Sequence, residues 1–214
     1  MHDLDAWEVK SVLYRRLRDL PYIRRILTAE TNNCNSLLQN FPIEAKRILD
    51  VGSGTGSTLA VYPDGITLIC IDRSTAMLRQ LRKVQSHHVL PARADATALP
   101  VRSASFGFVS AIGLSEYLVD LPCLLKEVKR VLKPGGFFLV TVSPPGFLTA
   151  FRNVLGIKIH AISSADFEGV IRTAGFLLWG KRRSTIQYQY LLQSNTMMHS
   201  KRMHPAPNGT RIIS

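Results

Sequence analysis

The chain has 214 residues, with 27 Lys and Arg against 15 Asp and Glu for a net charge of +12, and 46% of it is hydrophobic against 20% charged. That composition suits one folded domain with a sizeable core, or a domain with a short accessory, and excludes wholesale disorder. It also excludes a disulfide framework or a zinc site, because Cys34, Cys70 and Cys123 are far apart, odd in number and never spaced as Cys-x-x-Cys.

The elements follow in order. Residues 1–42 read as a helical cap. Leu13, Leu17 and Leu20 repeat at helical spacing. Pro21 suits the first turn of a second helix running through Ile26 and Leu27 towards Leu37 and Leu38, and Pro42 closes the segment. Residues 43–194 alternate strands with helices. Arg47–Val51 and Thr67–Ile71 are apolar strands, Ser74 caps a helix through Met77, Leu78 and Leu81, and His88–Arg93 and Phe106–Ile112 are the next two strands. Leu121–Leu132 is an amphipathic helix that Lys133-Pro134-Gly135-Gly136 stops, and Phe137–Val142 reads as a strand buried on both faces. Ser163 or Ser164 caps a helix to Ala174, and Phe176–Arg182 and Ile186–Leu192 lie close enough to pair as a hairpin. Residues 195–214 read as a flexible basic tail. Alternating strands and helices imply a parallel sheet of βαβ units.

No apolar run approaches the roughly 20 residues a membrane-spanning helix needs. The start, Met1-His2-Asp3-Leu4-Asp5, does not read as a secretory signal, so the expected location is cytoplasmic. From Lys181 onward there are six Lys and Arg and no acid, a balance that suits an anionic membrane surface, nucleic acid, an acidic substrate or simply a solvated basic face.

The chemistry concentrates after the first strand. Asp50-Val51-Gly52-Ser53-Gly54-Thr55-Gly56 joins a strand end to a glycine-rich turn, where a ligand can approach the backbone without meeting Cβ atoms. Asp72 ends the second strand, placed to accept hydrogen bonds from ribose hydroxyls. The dinucleotide spacing Gly-x-Gly-x-x-Gly would put its third glycine at Ser57, but it falls at Gly56, and no Gly-Lys-Ser/Thr phosphate loop follows. Asp50 also sets an anion at the site, which suits a cationic ligand such as an ammonium or sulfonium.

Taken with Ile71-Asp72-Arg73-Ser74, Arg93-Ala94-Asp95-Ala96, Phe106–Gly113 and Glu127–Gly136, this turn resembles the class I S-adenosylmethionine-dependent methyltransferases, in its small-molecule, quinone and phospholipid branch, across about residues 46–193. The resemblance implies a Rossmann-like, doubly wound α/β fold with a mostly parallel seven-stranded sheet, an antiparallel C-terminal hairpin strand and N-terminal accessory helices. It implies S-adenosyl-L-methionine as cofactor. Gly52 and Gly54 would meet its methionine part, with Ser53 and Gly56 also cofactor-binding, Asp50 would meet its ammonium and Asp72 its ribose. Asp95 and the Ala96 amide would meet adenine beside Arg73, and Ala111 would lie near the amino-acid end. Gly107 stands where the family often has Asp, and Arg73 where an apolar residue is common.

Tyr117 and Glu116, just after the fourth strand, are the catalytic candidates, each readable as a base or as a positioning residue, with His160 behind them. The apolar segment from Ser143 to Ile159 suits a small hydrophobic or lipid-like acceptor, and equally an ordinary covering helix. Nucleic acid is the rival acceptor. Its amine-methylating enzymes often carry Asn/Asp-Pro-Pro-aromatic after the fourth strand, where this chain has Ala111-Ile112-Gly113-Leu114. A third reading is a cofactor-binding partner protein with little catalysis.

Overall fold

The computed structural model describes residues 21–39, 46–84, 88–154 and 158–195. The first expected helix and the tail beyond Asn195 lie outside them. Helix α1 spans Pro21–Leu38, and Glu30, Cys34, Leu37 and Leu38 turn one buried face to the sheet. Strand β1 (Arg47–Val51) leads through the glycine turn and a 3-10 turn, Leu59–Val61, to β2 (Thr67–Asp72). Helix α2 (Thr75–Leu81) starts at Ser74, whose hydroxyl accepts from the Met77 amide at 3.3 Å. Strands β3 (His88–Arg93) and β4 (Phe106–Ala111) follow, then a 3-10 turn at Ser115–Tyr117. Helix α3 (Leu121–Val131) is capped by Asp120, which accepts from the Cys123 amide at 2.9 Å. Strand β5 is Leu132–Val142, α4 is Phe147–Val154 and α5 is Ser164–Thr173, with Ser163 as its cap. Strands β6 (Phe176–Arg183) and β7 (Tyr188–Ser194) finish the sheet.

The seven strands lie in the order β3-β2-β1-β4-β5-β7-β6, with β1 to β5 parallel and β7 antiparallel to both neighbours. This is the Rossmann-like α/β architecture expected from the sequence. Strand alternation sends Leu49, Val51, Phe138 and Val140 towards α3 and α5, and Ile48, Phe108, Leu139 and Leu191 towards α1 and α2. Because β2, β1 and β4 are neighbours and the order reverses between β1 and β4, their carboxyl ends open a crevice there.

One element differs from expectation. Lys133-Pro134-Gly135-Gly136 does not separate α3 from the next strand but belongs to β5. Leu132 pairs with Phe106, the register shifts, and pairing resumes at Phe137 and Phe108. Gly136 makes this close passage possible, since a Cβ there would lie 2.9 Å from the Lys133 carbonyl and 3.1 Å from the Gly107 carbonyl.

Candidate active site

The cleft at the ends of β1, β2 and β4 begins with the glycine turn. The Gly52 and Ser53 amides donate to the Ile71 carbonyl at 2.7 and 3.1 Å, tying the turn to β2. Gly54 has φ +53, a Cβ there would meet nothing within 4 Å, and its amide donates to Asp72 Oδ2 at 2.9 Å. Gly54 therefore faces open cleft. Gly56 differs: at φ +82, a Cβ would lie 2.5 Å from Leu81 Cδ1. It lets α2 pack under the turn and does not line the cleft. Gly52 and Ser53 do line it, with the Leu114 side chain 2.8 Å from where a Gly52 Cβ would sit.

Two acids stand at the cleft's outer end. Asp72 accepts from Gly54 at Oδ2 and from the Ser74 amide at 2.8 Å through Oδ1, so both oxygens are oriented by backbone. Burial pushes its carboxyl above the usual range, and those two amides oppose the shift. Asp95 holds Thr97, accepting at Oδ1 from its hydroxyl at 2.6 Å and its amide at 2.8 Å, which lowers its carboxyl pKa. Arg73, Asp95 and Ala96 all line the cleft. The loop carrying Asp95 is fastened from α3, a link that sequence reading missed. Glu127 accepts the Leu99 amide at 2.7 Å, while Arg130 donates to the Leu99 and Val101 carbonyls at 2.9 and 2.8 Å.

Asp50 and Ala111 lie behind the wall. Ala111 is fully buried in the core on the α3 side. Asp50 Oδ1 is within 2.9 Å of the Tyr62 hydroxyl and 2.8 Å of the Ser110 hydroxyl. Its Oδ2 is buried with no hydrogen-bond partner among the described residues. Burial is the main cause raising the Asp50 carboxyl pKa, despite those hydroxyls.

The inner end is built from side chains. The Gly113 amide donates to Thr141 Oγ1 at 2.7 Å and the Ser115 hydroxyl to the Thr141 carbonyl, fixing the 3-10 turn that carries Glu116 and Tyr117 against β5. Glu116 is 3% exposed, and three segments donate to its carboxylate. Arg152 Nη2 of α4 reaches Oε1 at 2.7 Å, Gln187 Nε2 reaches Oε2 at 3.1 Å, and the Ser143 hydroxyl also reaches Oε2. Arg152 Nη2 donates to the Tyr117 hydroxyl as well, at 3.0 Å. Burial opposes the charge on Arg152, but Glu116 and Tyr117 outweigh it and hold the guanidinium above its usual range. Leu27 and Glu30 of α1, Leu118 and Ile186 also line the cleft. His160 is not part of the lining, and its amide donates to the Glu116 carbonyl at 2.7 Å. Arg152 and Gln187 carried no signal in the sequence that set them apart.

A glycine turn, a strand-end acid and a second acid on the β3 loop gather around one cleft at the carboxyl ends of the strands, the place where Rossmann-like folds bind their ligands. Residues 49–140 match the methyltransferase domain family. The chain is 28% identical over 166 residues to malonyl-[acyl-carrier protein] O-methyltransferase of Geobacter sulfurreducens, covering 74% of this chain and 61% of that protein. It is 32% identical over 123 residues to demethylmenaquinone methyltransferase of Corynebacterium urealyticum, covering 55% and 52% respectively. The chain thus spans less than two thirds of either relative. A Haloferax volcanii protein solved in complex with the Trm112 methyltransferase activator shares the fold, with a TM-score of 0.73 at 17% identity over 92% of this chain and 98% of that one. Residues 49–140 are by this match a methyltransferase domain, similar to the class I S-adenosylmethionine-dependent methyltransferases. Among the described residues no helix is long and apolar enough to cross a membrane.

Proposed function

We propose that this chain transfers the methyl group of S-adenosylmethionine to a small acceptor with a hydrophobic, lipid-like body. The observation that carries the reading is the Asp72 carboxylate, held at the cleft by the amides of Gly54 and Ser74 beside a position where even a Cβ would find open space. These residues fit the cofactor. Asp72 would accept from the ribose hydroxyls. Asp95, whose bonds to Thr97 all use Oδ1, would offer Oδ2 to the adenine amino group, with the Ala96 amide and Arg73 beside it. Gly52, Ser53 and Gly54 would cradle the methionine part. The unpartnered Oδ2 of Asp50 would back that end as an acceptor for an ammonium, while Gly56 and Ala111 support the wall from behind.

When bound, the cofactor supplies an already activated methyl on a sulfonium. The protein's task is then to align the acceptor and exclude water. Leu27, Leu118 and Ile186 provide apolar cover at the acceptor end. Tyr117, anchored by Arg152, positions the acceptor's polar group, and Glu116 holds Arg152 and Gln187 in place. The relative named for demethylmenaquinone supports this class of acceptor.

Calorimetry with S-adenosylmethionine tests the cofactor half. Asp72→Ala is expected to weaken binding about 100-fold, because two hydrogen bonds to a charged group are lost together. Equal affinity in the two proteins would take Asp72 out of the site. For the acceptor half, labelled methyl donor is given to the protein with cell extract, and label is expected in the organic phase. Label confined to RNA or to the aqueous phase overturns the lipid-like acceptor.

A further inference from the structure

Two side chains at the inner end of the cleft keep hydrogen-bonding capacity that the protein does not use. Gln187 is 4% exposed and lines the cleft, yet its Oε1 is buried with no partner among the described residues. The amide cannot turn over to cure this, because Nε2 is held by the Glu116 carboxylate at 3.1 Å. Arg152 is the second. Its Nη2 serves Glu116 and Tyr117, while Nη1 reaches Glu116 only at 3.5 Å and Nε makes no hydrogen bond among the described residues. One carboxylate fastens both residues, so an unmet acceptor and spare donors belong to the same side-chain cluster. A buried polar atom left unmatched is costly, and native proteins keep one mainly where something else completes it.

The charge at this point decides what completes it. Glu116 and Arg152 cancel, so an anionic ligand gains no net attraction and would turn its oxygens towards the carbonyl of Gln187. An apolar ligand would leave Oε1 unmatched. A neutral hydroxyl satisfies both sides, its O–H donating to Gln187 and its oxygen accepting from Arg152. We propose that Arg152 and Gln187 form a recognition subsite for a neutral hydroxyl carried on the apolar body of the acceptor. Glu116 is the positioning residue that sets their spacing. This inference rests on the methyltransferase reading above.

The test uses the full chain saturated with S-adenosylhomocysteine, and three probes with one apolar body: 1-naphthol, 1-methoxynaphthalene and 1-naphthoate. At pH 7 the naphthol is expected to bind about tenfold more tightly than either of the others, since only it donates a proton to Gln187. In Gln187→Leu its advantage over the methoxy compound should disappear. Gln187→Met, unbranched and of similar length, repeats the measurement in case the first variant does not fold, with binding of S-adenosylhomocysteine as the check on both. Tightest binding by naphthoate, equal binding by all three, binding by none, or a naphthol preference that survives in the folded variants would each overturn the subsite. A wild-type protein that fails to bind S-adenosylhomocysteine removes the methyltransferase reading itself. A protein that binds it and ignores the hydroxyl removes the subsite alone.

Discussion

The two ends of the cleft are made differently. At the cofactor end the fixing contacts are largely backbone: the amides of Gly54 and Ser74 orient Asp72, and the Thr97 amide helps orient Asp95. At the acceptor end side chains hold one another, and Glu116 gathers Arg152, Gln187 and Ser143 from three separate segments. Strand ends alone can reproduce the first arrangement on many sequences. The second depends on side-chain identity at each position, and in the function proposed above it is where acceptor specificity would reside.

Replacing Glu116 by Gln would separate the two ends most sharply. It leaves Arg152, whose side chain is 21% exposed, without its counter-charge. Loss of one partner from a buried pair costs about 3–5 kcal/mol, and partial exposure reduces the expectation here to about 2–3 kcal/mol. Urea unfolding measures this, and methyl transfer should fall much further than affinity for S-adenosylmethionine. Equal losses would show that the ends are not independent. A smaller contrast lies within the glycine turn. Gly56→Ala forces a Cβ against Leu81 at positive φ and should cost about 1–3 kcal/mol of stability. Gly54→Ala meets no clash and should cost only about 1 kcal/mol, yet it places a methyl where the cofactor approaches. Paired thermal melts and calorimetry should show Gly56→Ala as the stability variant and Gly54→Ala as the binding variant.

The smallest effect concerns Thr97. Asp95 has its pKa lowered in the fold by the Thr97 hydroxyl and amide, so its stabilising contribution is present above the unfolded carboxyl range and is lost as pH falls through the folded value. Thr97→Val removes the hydroxyl bond at an exposed site and should lower Tm by about 1 °C at pH 7. The difference should vanish once Asp95 is protonated in both proteins. A difference that persists unchanged in acid would assign the effect to Thr97 itself.

Much of the cofactor end was legible in the sequence because its determinants are local. A strand of Ile, Leu and Val running into glycines, and an acid closing the next strand, place Asp72 and the turn without knowledge of anything distant. The N-terminal limit of β5 was not legible, because Pro134-Gly135-Gly136 has turn chemistry, and it is the missing Cβ of Gly136 beside the Lys133 and Gly107 carbonyls that lets those residues stay in the sheet. Arg152 and Gln187 were invisible for a related reason. They lie 36 and 71 residues from the Glu116 they serve, and no local pattern marks a contact of that span. The packing role of Gly56 was hidden as well, since Leu81 reaches it only after α2 folds back on the turn.

The place of β7 in the sheet has a consequence for how the molecule is made. Strand β6 is synthesised first, yet among the described residues its only ladder partner is β7, which itself fills the space beside β5. While the chain is still emerging from the ribosome, β1 to β5 can assemble, but β6 has nothing to pair with and the β5 edge stays open. Arrival of Tyr188–Ser194 closes that edge, recruits β6 and brings Gln187 to Glu116 in one event. Assembly thus carries a built-in order: the half that holds Asp72 and the glycine turn can form during translation, and the half that holds Glu116 and Gln187 is completed by the last strand of the sheet.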